Sequence, residues 1–169
     1  MRAPVLSAAG WSSVIVSAAE VLADWCEQEC GCLVYREQVL PAAADGHPEA
    51  RMDIIVYSPQ VSGGMYVDFT VASALSREAL SKGAALRDGV AAALAEQDKV
   101  NKYPNCAVVA FAVEDHGRWG EAARKFVRMV APTDSNMRSA AISRLHQSLA
   151  ATLQRVAADA VIAASVVRK

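Results

Sequence analysis

The sequence predicts an α/β fold, a mixed sheet flanked by helices in the order α–β–β–β–α–β–α–α, with a long C-terminal helix. Three observations carry this. Four runs rich in β-branched and apolar residues, "CLVYREQVLP", "MDIIVY", "MYVDFTVAS" and "CAVVAFAVED", are bounded by turn residues. Apolar residues recur at helical spacing before the first run, between the third and fourth, and after the fourth. Three strands in succession favour a meander, and the helix before the fourth favours a crossover. The length of 169 residues suits one fold, and the 53% hydrophobic content, mostly alanine and aliphatic, fills a core of closely packed helices. Residues 1–131 are expected to form the α/β domain, and residues 132–169 a helical extension packed on it.

The first helix is expected from about Ser12 to Glu29. Ser12 or Ser13 caps it, Trp11, Val14, Ile15, Ala18, Val21, Leu22 and Trp25 share a stripe, and Gly31 ends it. Leu33, Tyr35 and Val39 make the first strand, which Pro41 stops. Asp45-Gly46 and Pro48 mark a loop. Ile54, Ile55 and Val56 form an unbroken apolar run, so both faces of the second strand are expected to be covered. "SPQVSGG" turns the chain into the third strand, where Tyr66, Asp68 and Thr70 share one face and Val67, Phe69 and Val71 the other. A loop and short helix fill about 74–86. A helix then runs from Asp88 or Gly89 to Lys102, closed by Pro104. The fourth strand follows, then a turn at His116-Gly117 and a helix with Ala123, Phe126, Val127 and Val130 inward. Pro132 to Ser135 break and cap the last helix, about 136–166. Its stripe of Ile142, Leu145, Leu149, Leu153, Val156, Ala160, Ala163 and Val167 is read as core, with a partner surface as the alternative.

The net charge of −1 is unevenly spread. Residues 1–68 hold nine acids and three bases, and residues 69–169 nine acids and fourteen bases. This asymmetry fits a carboxylate cluster facing a basic surface, and equally ordinary solvated faces. Cys26, Cys30 and Cys32 are spaced C-x3-C-x-C, unlike a zinc knuckle, and with Cys106 are read as reduced thiols. A zinc site of these three with His47 is the alternative. Arg144, His146, Arg155 and Asp159 interrupt the last helix, so no membrane span is expected. The first twenty residues carry one Arg before an interrupted apolar run, and are read as a lead into the first helix of an intracellular protein. In "VEDHG", Glu114, Asp115 and His116 are metal-ligand types but are read as a turn, and His146 as an ordinary helix residue. No phosphate-cradling glycine loop, dinucleotide fingerprint or Ser-His-Asp order is present.

The stretch "RMDIIVYSPQVSGGMYVDFT" carries the candidate chemistry. If its two strands pair as a hairpin turning near Ser62–Gly64, Asp53 and Asp68 lie across from one another. Opposed like charges destabilise a sheet unless neutralised. A divalent cation does this, since Mg²⁺ takes one or two carboxylates plus water and phosphate oxygens. The alternative is that the two side chains point to different faces. In "AEQDKVNKYP", Glu96, Lys99, Lys102 and Tyr103 share a helical face. A lysine beside such a site can orient a nucleophile or offset phosphate charge, and a tyrosine can donate to a phosphate oxygen. A solvated Glu–Lys pair is the plain alternative.

The pattern R-x-D, then V-D-x-T, then a helix ending K-x-x-K-Y resembles the restriction-like endonuclease domain of site-specific LINE-type (non-LTR) retrotransposon polyproteins. That domain has the PD-(D/E)xK nuclease fold. The resemblance covers about Leu33 to Val113. It implies a restriction-endonuclease-like α/β fold and Mg²⁺- or Mn²⁺-dependent hydrolysis of DNA. It also implies a nuclear location, with the chain working as a homodimer or within a larger polyprotein. It assigns Asp53 and Asp68 as metal ligands and Lys99 and Tyr103 as catalytic partners. Arg51 and Lys102 would contact nucleic acid, and Lys102 is the second candidate for the lysine role. Arg118, Arg124, Lys125 and Arg128 would track the DNA backbone, and Glu37 or Glu20 would add a ligand. The chain departs from the pattern in three places. Met52 stands where the family has proline, Thr70 stands where the standard motif has its lysine, and no upstream zinc knuckle is reproduced. A catalytically inactive relative that binds DNA or protein, dimerising through the last helix, is the second reading.

Overall fold

The computed structural model describes residues 8–39, 51–104 and 106–166. The elements are α1 (Ala8–Gln28), β1 (Leu33–Val39), β2 (Arg51–Tyr57), β3 (Gly64–Ala72), α2 (Arg77–Ser81), α3 (Val90–Lys102), β4 (Val108–Glu114), α4 (Glu121–Val130) and α5 (Ser135–Val166). The order is the expected one, with α2 as the short helix after β3. One boundary differs. Helix α1 begins at Ala8, so Ser12 and Ser13 lie inside it and do not cap it. Two alanines favour helix, and one glycine at position 10 costs only about 1 kcal/mol, too little to break a well-packed helix.

The sheet order is β1-β2-β3-β4. β1, β2 and β3 are antiparallel neighbours, and β4 is parallel to β3 after the crossover through α2 and α3. This is a mixed sheet with helices on both sides. On one side Phe69 and Phe111 stack at 5.3 Å, and Phe126 of α4 meets Phe111 edge-on at 6.0 Å. Leu22, Ala23 and Trp25 of α1 and Ala141, Leu145, Leu149 and Leu153 of α5 belong to the same core. Each large side chain so buried contributes about 1.5–3 kcal/mol. The Trp25 Nε1–H donates to the Ala141 carbonyl at 2.8 Å, joining α1 to α5. Arg36 of β1 is held to α1 by Glu20, Asp24 and Glu27 at 2.8–2.9 Å. Asp134 caps α5, accepting from the Asn136 and Met137 amides at 3.0 and 2.9 Å. The first part of the α5 stripe is therefore core, as far as Leu153 with Val156 at its margin. The Ala160, Ala163 and Val167 side chains lie outside the described residues.

The other side of the sheet is covered only in part. α3 packs on β3 and β4, with Ala91 and Ala92 buried. Over β1 and β2 no helix among the described residues covers that face, and Leu33 is 57%, Tyr35 47% and Tyr57 43% exposed. Ile55 is half-buried, which overturns the expected covering of both faces of β2. An apolar run fixes which residues can be buried, whereas the number of helices available decides which faces are. Among the described residues, no helix is long and apolar enough to cross a membrane.

Candidate functional site

The site lies where the open and covered halves meet. The β2–β3 ladder pairs Tyr57 with Gly64 and stops at Ile54 opposite Val67, while β3 continues beside β4 to Ala72. One further step of that register sets Asp53 across from Asp68. The strands fork at this point. The Phe69 amide donates to Asp53 Oδ2 at 2.6 Å, so a side chain takes the place of a strand partner.

Asp68 is buried and Lys99 reaches it from α3, with Nζ 2.8 Å from both Oδ1 and Oδ2. Lys99 is the tenth residue of a helix whose first turn rests over β4, which brings its ammonium down onto the middle of β3. The structure thus brings Asp53, Asp68 and Lys99 together from three elements. Burial pushes the Asp53 carboxyl up to about 6. The Phe69 amide and Lys99 work against this, and the like charge of Asp68 adds to it.

The remaining candidates are placed differently. Tyr103 ends α3 and is buried, packed with Met52 and against Tyr66, Cys106 and Val108. Its ring is a floor beneath the Asp53 strand rather than an open donor. Lys102 is exposed, with Nζ 4.9 Å from the Tyr103 centroid. The contact with the Tyr103 hydroxyl raises its pKa, and Asp68 and Asp53 add to the rise. Arg118 pairs with Asp88, and Arg124 with Glu121 at 2.9 Å. Arg124, Lys125 and Arg128 ride on α4, whose Phe126 packs on the sheet face opposite Asp68. The structure does not gather these bases around the carboxylates. The Arg51 side chain and His47 lie outside the described residues. Glu20 is engaged by Arg36. Glu37 is exposed and takes a left-handed φ of 47° at the step between Arg36↔Ile54 and Gln38↔Met52, where the register would set it opposite Asp53. His116 sits in the expected turn, and His146 is exposed with its ring 5.2 Å from that of Trp119.

Two glutamates have a role not read from the sequence. Glu96 does not join Lys99 at the carboxylates; its Oε1 accepts from the Ala122 amide at 2.9 Å and caps α4. Glu114 is buried and accepts from the Ala91 and Ala92 amides at 3.0 and 3.2 Å, capping α3. The signal was present in the N-caps, since both helices start at a glycine that has no side chain to offer, Gly89 and Gly120. Gly120 is also required by space, since a Cβ there would overlap the Glu96 carboxylate.

Cys26, Cys30 and Cys32 are buried and reduced. Burial pushes the Cys30 thiol up to about 12 and raises Cys26 and Cys32 as well. Among the described residues, no three His, Cys, Asp or Glu side chains converge to hold a metal ion. Asp53 and Asp68 are the two carboxylates that the fork brings together. No family model matches this chain, and no curated protein matches it either.

Proposed function

We propose that this protein is a metal-dependent DNA endonuclease of the restriction-endonuclease-like type, related to the nicking domain of LINE-type retrotransposons. The observation that carries the reading is the meeting of Asp53, Asp68 and Lys99 at the fork between β2 and β3. Two carboxylates, one held near 6 by burial and by its neighbour, form a site that gains most from a divalent cation. Bound Mg²⁺ or Mn²⁺ would supply an activated water and offset charge on the departing oxygen. Asp53 is oriented for its part by the Phe69 amide, which fixes one of its oxygens. Lys99 spends two of its three N–H donors on Asp68, and the third can hold a phosphate oxygen or the attacking water. Lys102, steadied on Tyr103, supplies a second positive charge at the exposed rim.

One observation favours the second reading, a catalytically inactive relative. Lys99 engages both oxygens of Asp68, an arrangement that neutralises the acid without any ion. A nicking assay on supercoiled DNA decides between the two. The active enzyme cuts with Mg²⁺, not with EDTA, and Asp68→Ala is silent. Lys99→Ala loses roughly 10²–10³-fold in rate, as expected for one preorganised charge stabiliser. Absence of Mg²⁺-dependent cutting by the unmodified chain, with DNA binding intact, establishes the inactive relative.

A further inference from the structure

The open half of the sheet face is ordered in rows. The strand register aligns Leu33, Tyr57 and Gly64 in one row and Tyr35, Ile55 and Tyr66 in the next. The third row is that of Glu37, Asp53 and Asp68. The first two rows carry no charge, and three of their side chains are exposed: Leu33, Tyr35 and Tyr57. The Tyr35 and Tyr57 rings stand 6.0 Å apart at 84°, which makes a corner with a floor and a wall. The Tyr57 ring lies over Gly64, where any Cβ would come within 2.8 Å of its Cζ. A glycine at 64 thus lets the ring lie down along the face. Lys99 of α3 stands on Asp68 in the third row, and Lys102 stands at the rim beside Tyr103, which packs against Tyr66 of the second row.

We propose that these two rows are a nucleobase-stacking platform for single-stranded nucleic acid, which leads the strand's backbone toward Asp53, Asp68 and Lys99. Every base has an apolar face that stacks on an aromatic side chain, so such a platform binds unpaired strands with little regard to sequence. A paired base is already stacked within its duplex and cannot reach the ring faces. The occupant is identified by continuity and charge. The platform shares its strands and its face with the carboxylate row, and Lys102 and Lys99 stand beside its second and third rows, alongside the phosphates of a strand stacked there. The destination of the strand rests on the nuclease reading; the stacking does not.

The test is binding of a fluorescently labelled, unstructured DNA oligonucleotide to the full chain in EDTA, where no cutting occurs. Tyr57→Ala and Tyr35→Ala are each expected to weaken binding roughly 5- to 100-fold, while Tyr57→Phe binds as the unmodified chain does. Thermal melting of each variant verifies that it is folded, and Tyr57→Phe retains the packing over Gly64. A labelled duplex of the same length is expected to lose little affinity in the alanine variants. Folded alanine variants that bind the unpaired strand at full strength overturn the platform, even if Mg²⁺-dependent cutting is observed. Tyrosine-dependent binding without any cutting upholds the platform and removes the nuclease reading. Sedimentation in which the unmodified chain is a dimer and Tyr57→Ala a monomer, with oligonucleotide binding unchanged, assigns the face to a second copy instead and overturns the proposal.

Discussion

Asp53 and Asp68 stand one strand apart and live under different electrostatic rules. Asp68 is buried deeper, yet it has a counter-ion at 2.8 Å. Asp53 is less buried and accepts from the Phe69 amide, with Lys99 acting on it from a neighbouring pair, and burial pushes it up to about 6. The contrast teaches that depth alone does not set a carboxylate's behaviour. Asp68 gains a helix-borne ammonium because α3 packs on β3, whereas among the described residues no ammonium pairs with Asp53 on β2. The half-covered sheet is therefore the origin of the asymmetry.

The largest effect should come from removing the counter-ion. Lys99→Met leaves a buried carboxylate unpaired beside a second acid, and truncating one partner of a buried pair costs about 3–5 kcal/mol. Urea denaturation reads this directly. A loss below about 1 kcal/mol would place Asp68 among solvent-screened pairs and dissolve the contrast.

A second change sharpens it through pH. The Asp53 carboxyl ionises near 6 in the folded chain against an ordinary 3.8, so the folded state holds this proton more tightly than the unfolded one. Its contribution is unfavourable above about pH 6 and is relieved as pH falls from about 6 to about 4. Asp53→Asn should accordingly stabilise the protein at pH 7.5 by about 1–3 kcal/mol and remove that slope. Melting curves across pH 4–8 check both, and an unchanged slope in the variant would show that another group is responsible.

The smallest effect loosens the arm that carries Lys99. Glu114→Ala uncaps α3 and should cost about 1–2 kcal/mol, raising hydrogen exchange at Ala91 and Ala92 before that at Asp68. Equal acceleration of all three amides would mean that helix and strand open as one.

The architecture was largely legible in the sequence. Periodicity placed the α4 stripe and the first part of the α5 stripe, β-rich runs placed four strands, and the helix before β4 announced a parallel partner. The hairpin turn set Asp53 near Asp68 because antiparallel pairing counts residues symmetrically about the loop. Facts of the third dimension were not legible. "DIIVY" looks the same whether or not a helix lies over its second face, so the half-burial of Ile55 and the exposure of Tyr57 were hidden. Glu96 shares the helical face of Lys99, and only the position of Gly120 next to it reveals which partner it serves. Tyr103 is a polar-tipped aromatic that suits either a pocket wall or a floor, and the packing of Met52 decides for the floor.

The two borrowed caps also bear on how the chain acquires its shape. Glu114 lies 23 residues after the amide it receives, and Glu96 lies 26 residues before its own. Neither helix can complete its first turn from nearby residues, so each must wait for the other's neighbourhood to form. Loop closure over such spans comes before any reward, which couples these segments into one cooperative event. A peptide spanning α3 alone would fray at its start, and the lysine that meets Asp68 would have no fixed address until β4 had joined the sheet.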